Sequence, residues 1–337
     1  MVSDFRRSLW PLVLHAVIAT LRPGWNAGTM RPAERTHGKE SDADMTLIPL
    51  SNGILSATIA TLGAELQSLK DAAGSEWLWQ ADPAVWPRHA PILFPIVGKA
   101  AGNALLIDGR SYPIGQHGFA RDRDFAIVEQ GPGHVTLRLV ADAETRTHYP
   151  FDFVLDLTYA LDGATLAETA TITNPGAAPL PASVGFHPGF AWPLPGSDAP
   201  QEAHLVLFEK AEPAPIRRLG PGGVLPDGLP TPVEGRRLAL APSLFAADAL
   251  IFDRLESRSL WFGVPGRPGL RVDFPDMPYL GLWMKPGAPF LCIEPWQGHA
   301  APEGFAGPIA DMPGMLAIAP GASVARHMAV SLAAPEA

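Results

Sequence analysis

The chain has 337 residues and a formal net charge of −9, because 25 Lys and Arg stand against 34 Asp and Glu. Hydrophobic residues make up 47% of the sequence, which is enough to bury a large core and excludes global disorder. The acidic balance argues against a nucleic-acid partner, since such partners select clustered basic residues. No apolar run reaches the ~18 residues of a spanning helix, so we expect no membrane partner.

Two residue counts restrict the fold further. Cys292 is the single cysteine, which excludes an internal disulfide and a zinc cage built on thiolates. The 37 Pro and 33 Gly interrupt the chain every few residues. That composition favours many short strands joined by turns over long helices.

Residues 1–44 differ from the rest of the sequence and have two interpretations. Arg6 and Arg7 precede a short apolar run at 9–21, as in a secretory signal. His15 interrupts that run, however, and strand-like patterning begins only after Met45. We therefore favour an N-terminal extension that is disordered or outside the domain, followed by one domain at 45–335 of a cytoplasmic protein.

From Met45 onward, the chain is a series of short apolar or alternating segments that end at turn residues. The residues from Phe153 to Tyr159 alternate almost perfectly, as in an antiparallel strand that is buried on one face. Strands are predicted at 47–50, 54–61, 111–114, 125–129, 135–140, 153–161, 165–173, 204–208, 260–264, 270–274, 279–284, 290–294 and 323–331. With no composition break after Met45, these predict one all-β domain, a large antiparallel β-sandwich.

Several common catalytic motifs are absent from the sequence. It contains no H-E-x-x-H pair, no G-x-S-x-G elbow and no G-x-x-x-x-G-K-[ST] loop. The sequence also lacks the His-x-His pair that a metal site of the cupin type would need. We therefore predict no metal and no cofactor, and expect any chemistry to come from ordinary side chains.

Four segments combine polar side chains with apolar surroundings. They contain the candidate residues Arg88, in WPRHAPILFPIVG; His117 and Arg121, in QHGFAR; His187, in VGFHPGF; and Glu294, in LCIEPWQG. Arg88 needs either an internal carboxylate or a ligand oxygen as its partner. Glu294 ends an apolar strand, where desolvation raises a carboxyl pKa and suits a general base.

Each candidate also has a structural interpretation. A histidine among apolar residues is often a satisfied core residue, an arginine such as Arg88 can brace a loop, and Glu294 could be half of an ion pair. The combination of these residues in one domain favours a functional site over a set of structural roles. Two histidines, an arginine and a strand-end carboxylate occur together in one β domain that has no cofactor motif.

These four segments, in their order and spacing, resemble the aldose 1-epimerase (galactose mutarotase-like) family, and in particular its LacX-like branch. The resemblance covers nearly all of 45–335 and rests on R-x-x-P-I-L-F-P, H-G-F-A-R, G-F-H-P-G-F and C-I-E-P-W-x-G together. It implies a large antiparallel supersandwich and a cofactor-independent isomerase that interconverts the α and β anomers of a hexose.

The resemblance also implies roles for individual residues. His187 matches the family's general acid and Glu294 its general base, while Arg88, His117 and Asp248 match residues that bind the sugar. The implied partner is a small aldose, bound by a monomer or a homodimer.

Two alternatives stay open at this stage. H-G-F-A-R is also typical of hexose-6-phosphate 1-epimerases, so Arg121 and Arg123 could bind a phosphate. A non-catalytic sugar-binding protein could share the fold, although binding alone needs no acid/base pair.

Overall fold

The structure, a computed structural model, describes residues 45–334, all of which belong to one compact unit. The predicted N-terminal extension, residues 1–44, lies outside the described residues. Within 45–334, no helix is long and apolar enough to cross a membrane. One α-helix, α1, covers Thr145–His148, and single 3-10 turns form at Ala101–Asn103, Ala120–Asp122, Gln201–Ala203, Pro242–Phe245 and Ile309–Asp311.

Strands form almost all of the regular structure in the described part of the chain. In chain order they are β1 Leu47–Ser51, β2 Leu55–Ala60, β3 Leu66–Asp71, β4 Ile92–Leu93, β5 Ala104–Ile107, β6 Arg110–Pro113, β7 Ala126–Gly131, β8 His134–Val140, β9 Val154–Asp162, β10 Thr165–Thr173, β11 Leu180–Ala182, β12 Gly185–Phe186, β13 Gly189–Ala191, β14 Leu205–Phe208, β15 Leu219–Gly220, β16 Gly223–Val224, β17 Arg237–Ala239, β18 Leu250–Phe252, β19 Ser259–Gly263, β20 Gly269–Asp273, β21 Tyr279–Trp283, β22 Phe290–Trp296, β23 Leu316–Ile318 and β24 Ser323–Ala333.

Two large sheets dominate the architecture, and all strand pairs in them are antiparallel. The larger has nine strands in the order β17-β14-β19-β20-β24-β10-β9-β8-β7. The other has the order β18-β21-β22-β12-β4, with β13 also paired to β22. A three-stranded sheet, β1-β2-β3, and three two-stranded pairs, β5-β6, β11-β23 and β15-β16, complete the fold. The predicted all-β antiparallel sandwich is confirmed.

All the predicted strands occur, within a few residues of their predicted ends. The alternation in β9 buries Leu155, Leu157 and Tyr159, while β10 spans the predicted 165–173. The prediction missed the strands of two or three residues, among them β4, β12 and β13, and it also missed β3 and β5. Of these, β4, β12 and β13 matter most for function, because β12 and β13 pair with β22 and β4 pairs with β12 in the six-stranded sheet.

Candidate active site

Strand β22 carries the candidate general base. Every residue of this strand is buried, which explains its nearly continuous apolar sequence. Because strand residues alternate in direction, Phe290, Cys292, Glu294 and Trp296 share one face. Glu294 pairs with Gly281 on β21. A side chain at Gly281 would collide with the indole of Trp296, so this glycine allows Trp296 to lie across the strand beside it.

His187 is held against the same strand by the short strands on either side of it. Gly185 in β12 pairs with Trp296, and Gly189 in β13 pairs with Cys292. The Ile293 N–H donates to the carbonyl of Pro188, next to the histidine. This backbone frame brings Nε2 of His187 to 3.1 Å from Oε2 of Glu294.

Aromatic rings enclose the histidine. The ring of Trp86 stacks on His187 with centroids 5.3 Å apart, and Trp283 contacts it edge-on at 6.0 Å. A Cβ at Gly189 would lie 2.9 Å from the Trp86 ring, so glycine there permits the close approach. The aromatic packing fixes the orientation of the imidazole beside Glu294.

Burial shifts the two pKa values of this pair in opposite directions. It lowers the pKa of His187 to about 3, and the positive charges of Arg121 and Arg88 act in the same direction. It raises the pKa of Glu294 well above its ordinary value, with Asp248 adding to the effect. Burial therefore favours the neutral form of both groups, so that a proton shared across the 3.1 Å contact lies on Glu294 rather than on His187.

His117 lies close to the pair and is held by the loop that the sequence predicted. It has a left-handed backbone, φ 68°, and is followed by Gly118, where a Cβ would collide with the Phe94 carbonyl. The Gly98 N–H donates to Nδ1 of His117, so the neutral ring carries its proton on Nε2. Burial lowers the pKa of His117 well below its ordinary value, and His187 lies next to it with ring centroids 5.6 Å apart.

The two arginines predicted to meet the substrate are both anchored by protein groups. Arg88 has an internal partner after all: its guanidinium binds the Asp122 carboxylate at 2.6 Å and the Arg121 carbonyl at 3.4 Å. Arg121 donates to the Gln116 carbonyl at 2.8 Å. Of the two, Arg121 lines the cavity described below. Arg88 is close enough to depress the pKa values of both His187 and His117.

Arg123, the second arginine that the sequence offered for a phosphate, is already paired with protein carboxylates. Its guanidinium binds the carboxylates of both Asp142 and Glu144. The sequence alone does not show this competition, because the two acidic partners lie about twenty residues further along the chain. A guanidinium with two carboxylates has little remaining affinity for an anion.

A cavity of about 870 Å³ opens over the His187–Glu294 pair. Its floor includes the buried residues His117, His187, Glu294 and Trp296. Its mouth includes the exposed residues Lys99, Asn103, Gln116, Ala246 and Asp248. The acid/base pair therefore lies at the deep end of an open pocket.

Asp248, which the family resemblance suggests as a sugar-binding residue, lies at the cavity mouth. It has a left-handed backbone, φ 67°, and its Oδ1 accepts the N–H of Ala249 at 2.8 Å. Its backbone carbonyl accepts a hydrogen bond from Arg218. These contacts hold the loop and leave Oδ2 of the carboxylate able to accept from a ligand.

The sequence analysis did not assign several cavity-lining residues, among them Trp86, Trp283 and Lys99. Their local sequences gave no sign of a site: Trp283 occupies an ordinary apolar position of β21, Trp86 precedes a proline, and Lys99 lies in a Gly-Lys-Ala loop. Only Trp86 could have been found from the sequence, because it lies directly before Pro87-Arg88 in a segment that was already identified as a candidate.

One group of possible metal donors exists within 45–334. It comprises His187, Cys292 and Glu294, whose donor atoms lie within 4.8 Å of one another. Burial and the Glu294 charge raise the pKa of the Cys292 thiol well above its ordinary value. Since metals bind the thiolate, this thiol is a poor ligand, and the arrangement suits acid/base chemistry better.

Comparisons with known proteins show the family to which the chain belongs. The aldose 1-epimerase family model matches residues 46–304. Protein LacX of Lactococcus lactis subsp. lactis, in plasmid and chromosomal forms, is 36% identical over 262 residues, which cover 74% of this chain and 87% of LacX.

Solved structures are similar over most of their length. A galactose mutarotase-like protein from Lactobacillus casei has a TM-score of 0.77 and 32% identity, covering 86% of this chain and all of that one. A galactose mutarotase related enzyme from Lactobacillus acidophilus has a TM-score of 0.78 and 29% identity, covering 86% and 98%. A galactose 1-epimerase from L. acidophilus NCFM, at 13% identity and a TM-score of 0.64, shares the fold, with coverage of 89% and 98%.

Proposed function

Because the chain belongs to the aldose 1-epimerase family, we propose that it is a cofactor-independent mutarotase that interconverts the α and β anomers of a free hexose. One observation carries the proposal: His187 Nε2 and Glu294 Oε2 lie 3.1 Å apart at the floor of a cavity of about 870 Å³, which has room for a hexose. Opening a sugar ring moves one proton from the anomeric hydroxyl and delivers one to the ring oxygen. Both oxygens are bonded to the same carbon, so adjacent acid and base groups can serve them together.

The proposed ring opening is a paired proton transfer. Glu294, as the carboxylate, takes the proton of the C1 hydroxyl, while His187, as the imidazolium, protonates the ring oxygen. The bond from C1 to the ring oxygen breaks, and C1 becomes an aldehyde. No electron is gained or lost overall, so the reaction needs no redox partner.

Ring closure on the other face completes the cycle. After rotation about the C1–C2 bond, the freed hydroxyl attacks the opposite face of the aldehyde and returns its proton to His187. The carbonyl oxygen takes the proton back from Glu294 and becomes the new anomeric hydroxyl. Both side chains return to their starting states, so each acts once as acid and once as base.

Because the pair shares a single proton, the same site can convert the α anomer to the β anomer and the β anomer to the α anomer. Burial favours the proton on Glu294, and its transfer to His187 across the 3.1 Å contact creates the imidazolium and carboxylate used above. A pair with two protons has no base, and a pair with none has no acid. The value of kcat/KM should therefore fall on both sides of an optimum pH.

Neighbouring residues fit sugar binding. Nδ1 of His117 accepts the Gly98 N–H, so the ring carries its proton on Nε2, which can donate to a sugar hydroxyl. Asp248 offers a carboxylate oxygen at the mouth. Trp86 and Trp283 offer flat apolar surfaces to the C–H face of the sugar ring. Arg88 binds the Asp122 carboxylate and the Arg121 carbonyl, and so holds the segment that carries Arg121.

A hexose 6-phosphate is the less favoured substrate. Arg123 is already bound by two carboxylates, and Arg121 is bound by the Gln116 carbonyl. Lys99 is left as the one cavity-lining cation in 45–334 that has no ion pair or hydrogen bond to protein. One flexible ammonium is weaker phosphate recognition than a fork of two arginines.

The test is polarimetry of freshly dissolved α- and β-hexoses and their 6-phosphates, with the spontaneous rate subtracted. We expect the protein to speed the approach to anomeric equilibrium for free hexoses. Sugar binding by calorimetry without any rate increase would support a non-catalytic sugar-binding protein instead. Activity on 6-phosphates alone would overturn the choice of substrate.

A further inference from the structure

The indole of Trp296 forms part of the cavity floor beside Glu294. The two residues lie two positions apart on β22, so their side chains leave the same face of the strand. Trp296 is 6% exposed and lines the cavity together with Glu294. The proton transfers described above do not use this side chain.

Two glycines on the neighbouring strands hold the indole ring in place. A Cβ at Gly281, which pairs with Glu294, would lie 3.1 Å from Cε2 of the ring and 2.3 Å from Cζ2. A Cβ at Gly185, which pairs with Trp296, would lie 2.8 Å from Cδ1. Since Cδ1 and Cε2 are the two atoms bonded to Nε1, the N–H edge of the indole lies against the sheet, on the side of the ring that faces Glu294.

The indole N–H is a buried donor whose hydrogen bond is not used by the protein. Nε1 of Trp296 is enclosed and has no hydrogen-bond partner within 45–334. Such a donor destabilises its surroundings until it meets an acceptor, and a charged acceptor forms the stronger bond. Glu294 is the acceptor within its influence, because burial raises the pKa of Glu294 whereas the Trp296 indole lowers it.

We propose that Trp296 is a positioning residue of the acid/base pair, and that its indole N–H donates to the Glu294 carboxylate when the shared proton moves to His187. The inference rests on the proposed mutarotase function. Burial favours the neutral form of both groups, but ring opening needs the carboxylate and the imidazolium. A fixed donor that binds the carboxylate more strongly than the neutral carboxyl lowers the free energy of that ionised form. The proton moves from Oε2 of Glu294 to Nε2 of His187, and no electron is transferred.

Two tryptophan substitutions form a matched pair for the test. Trp296→Phe removes the N–H and keeps an aromatic ring on the cavity floor. Trp261→Phe is the control, because Trp261 on β19 also has a buried Nε1 without a partner within 45–334 and a ring packed against glycines, Gly263 and Gly269. Trp261 belongs to the nine-stranded sheet and does not line the cavity.

The first measurement is kcat/KM for a hexose by polarimetry from about pH 5 to about pH 10, where the limbs report the free acid/base pair. Without the donor, the Glu294 carboxylate is less stable. Trp296→Phe should therefore lower kcat/KM at the optimum by about tenfold, mostly in kcat, and move the alkaline limb up by about one pH unit, as expected for one hydrogen bond to a charged group. Trp261→Phe should change neither value. A site that merely loosens and admits water would move the limb down, because Glu294 would be less desolvated.

The second measurement does not depend on turnover. The indole ¹H–¹⁵N resonance of Trp296, assigned by its nuclear Overhauser contacts with Gly281, is followed in the full-length wild-type protein over the same pH range. It should move downfield as Glu294 ionises, because donation to a carboxylate deshields the N–H proton. Glu294→Gln should abolish this movement.

Other ionisable groups lie around the pair and the indole, and the glutamine variant separates their titration from that of Glu294. Besides His187 itself, they are His117, Arg88, Arg121, Asp248, Cys292 and Tyr279. All of them remain in Glu294→Gln, so a movement of the indole resonance that persists in this variant belongs to one of them and overturns the inference.

The outcomes separate this inference from the proposed function. An unchanged kcat/KM and alkaline limb in Trp296→Phe overturn the role of the indole and leave the mutarotase intact. A loss of rate without an upward movement of the limb also overturns it, since packing alone explains that result. If Trp296→Phe does not fold, the indole titration decides by itself. Absence of mutarotation by the wild-type protein contradicts the proposed function, while the titration still tests the contact with Glu294.

Discussion

Glu168 is a buried carboxyl group outside the active site, and it should make the stability of the fold depend on pH. It lies on β10 opposite Tyr159 of β9 and Met328 of β24, both fully buried. Its Oε1 has no hydrogen-bond partner within 45–334. Burial raises the pKa of Glu168 from 4.5 to about 8. The folded protein thus keeps this group protonated at pH values where the unfolded chain releases the proton.

The sign and size of the effect follow from that difference. The pKa is higher in the folded state, so the stabilising contribution is complete below about pH 4.5 and is lost as the pH rises to about 8. A difference of one in pKa corresponds to about 1.4 kcal/mol. The rise of the Glu168 pKa from 4.5 to about 8 therefore lowers the free energy of unfolding by a total of about 5 kcal/mol at high pH. Such a loss is a large part of the usual stability of a domain.

Glu168→Gln removes the ionisable group and keeps the shape of the side chain. Free energies of unfolding are measured by urea denaturation for both proteins from about pH 5 to about pH 8. As the pH increases, the free energy of unfolding of the variant minus that of the wild type should rise by about 1.4 kcal/mol per pH unit. The starting value of this difference does not matter, because all other titrating groups contribute equally to both proteins. Glu234→Gln, at an exposed site, is the control and should give a flat line. A flat line for Glu168→Gln as well would refute the reasoning.

Two further predictions concern substrate contacts. His117→Ala removes a donor held by the Gly98 N–H, so kcat/KM for hexoses should fall by about tenfold to a hundredfold, or ~1.4–2.8 kcal/mol; an unchanged kcat/KM in a folded variant would remove His117 from the sugar site. Arg121→Ala should change the turnover of free hexoses by less than about tenfold, because its guanidinium already donates to Gln116. A loss seen mainly with hexose 6-phosphates would show that Arg121 binds phosphate after all.

Local sequence patterns predicted the long strands well and the short ones poorly. Nine residues of alternation, as in β9 and β10, contain several repeats of the strand period and two turn signals. A strand of two residues, such as β4 or β12, contains no period at all. These strands exist because the backbone groups of β22 and its neighbours need partners, and that requirement is set by tertiary structure.

The residues of the candidate site could be selected from the sequence, but their contacts could not. His187 and Glu294 lie 107 positions apart, so only the pairing of β12 and β13 with β22 makes them neighbours. The same holds for Arg88, whose partner Asp122 lies 34 residues away. Local sequence reveals a buried charge, whereas the identity of its partner depends on the fold.

The rate of mutarotation of a hexose by Glu294→Gln, compared with the wild-type protein near neutral pH, tests the central claim most directly. Glutamine resembles the protonated carboxyl that burial favours at this position, so the variant should fold with a nearly unchanged melting temperature. It cannot accept a proton, and kcat should fall by about 10²–10⁴-fold, the usual contribution of general acid–base catalysis. His187→Asn should have a similar effect, and the double variant should be little worse than either single one. Wild-type mutarotation by folded Glu294→Gln would contradict the assignment of Glu294 and His187 as the catalytic pair.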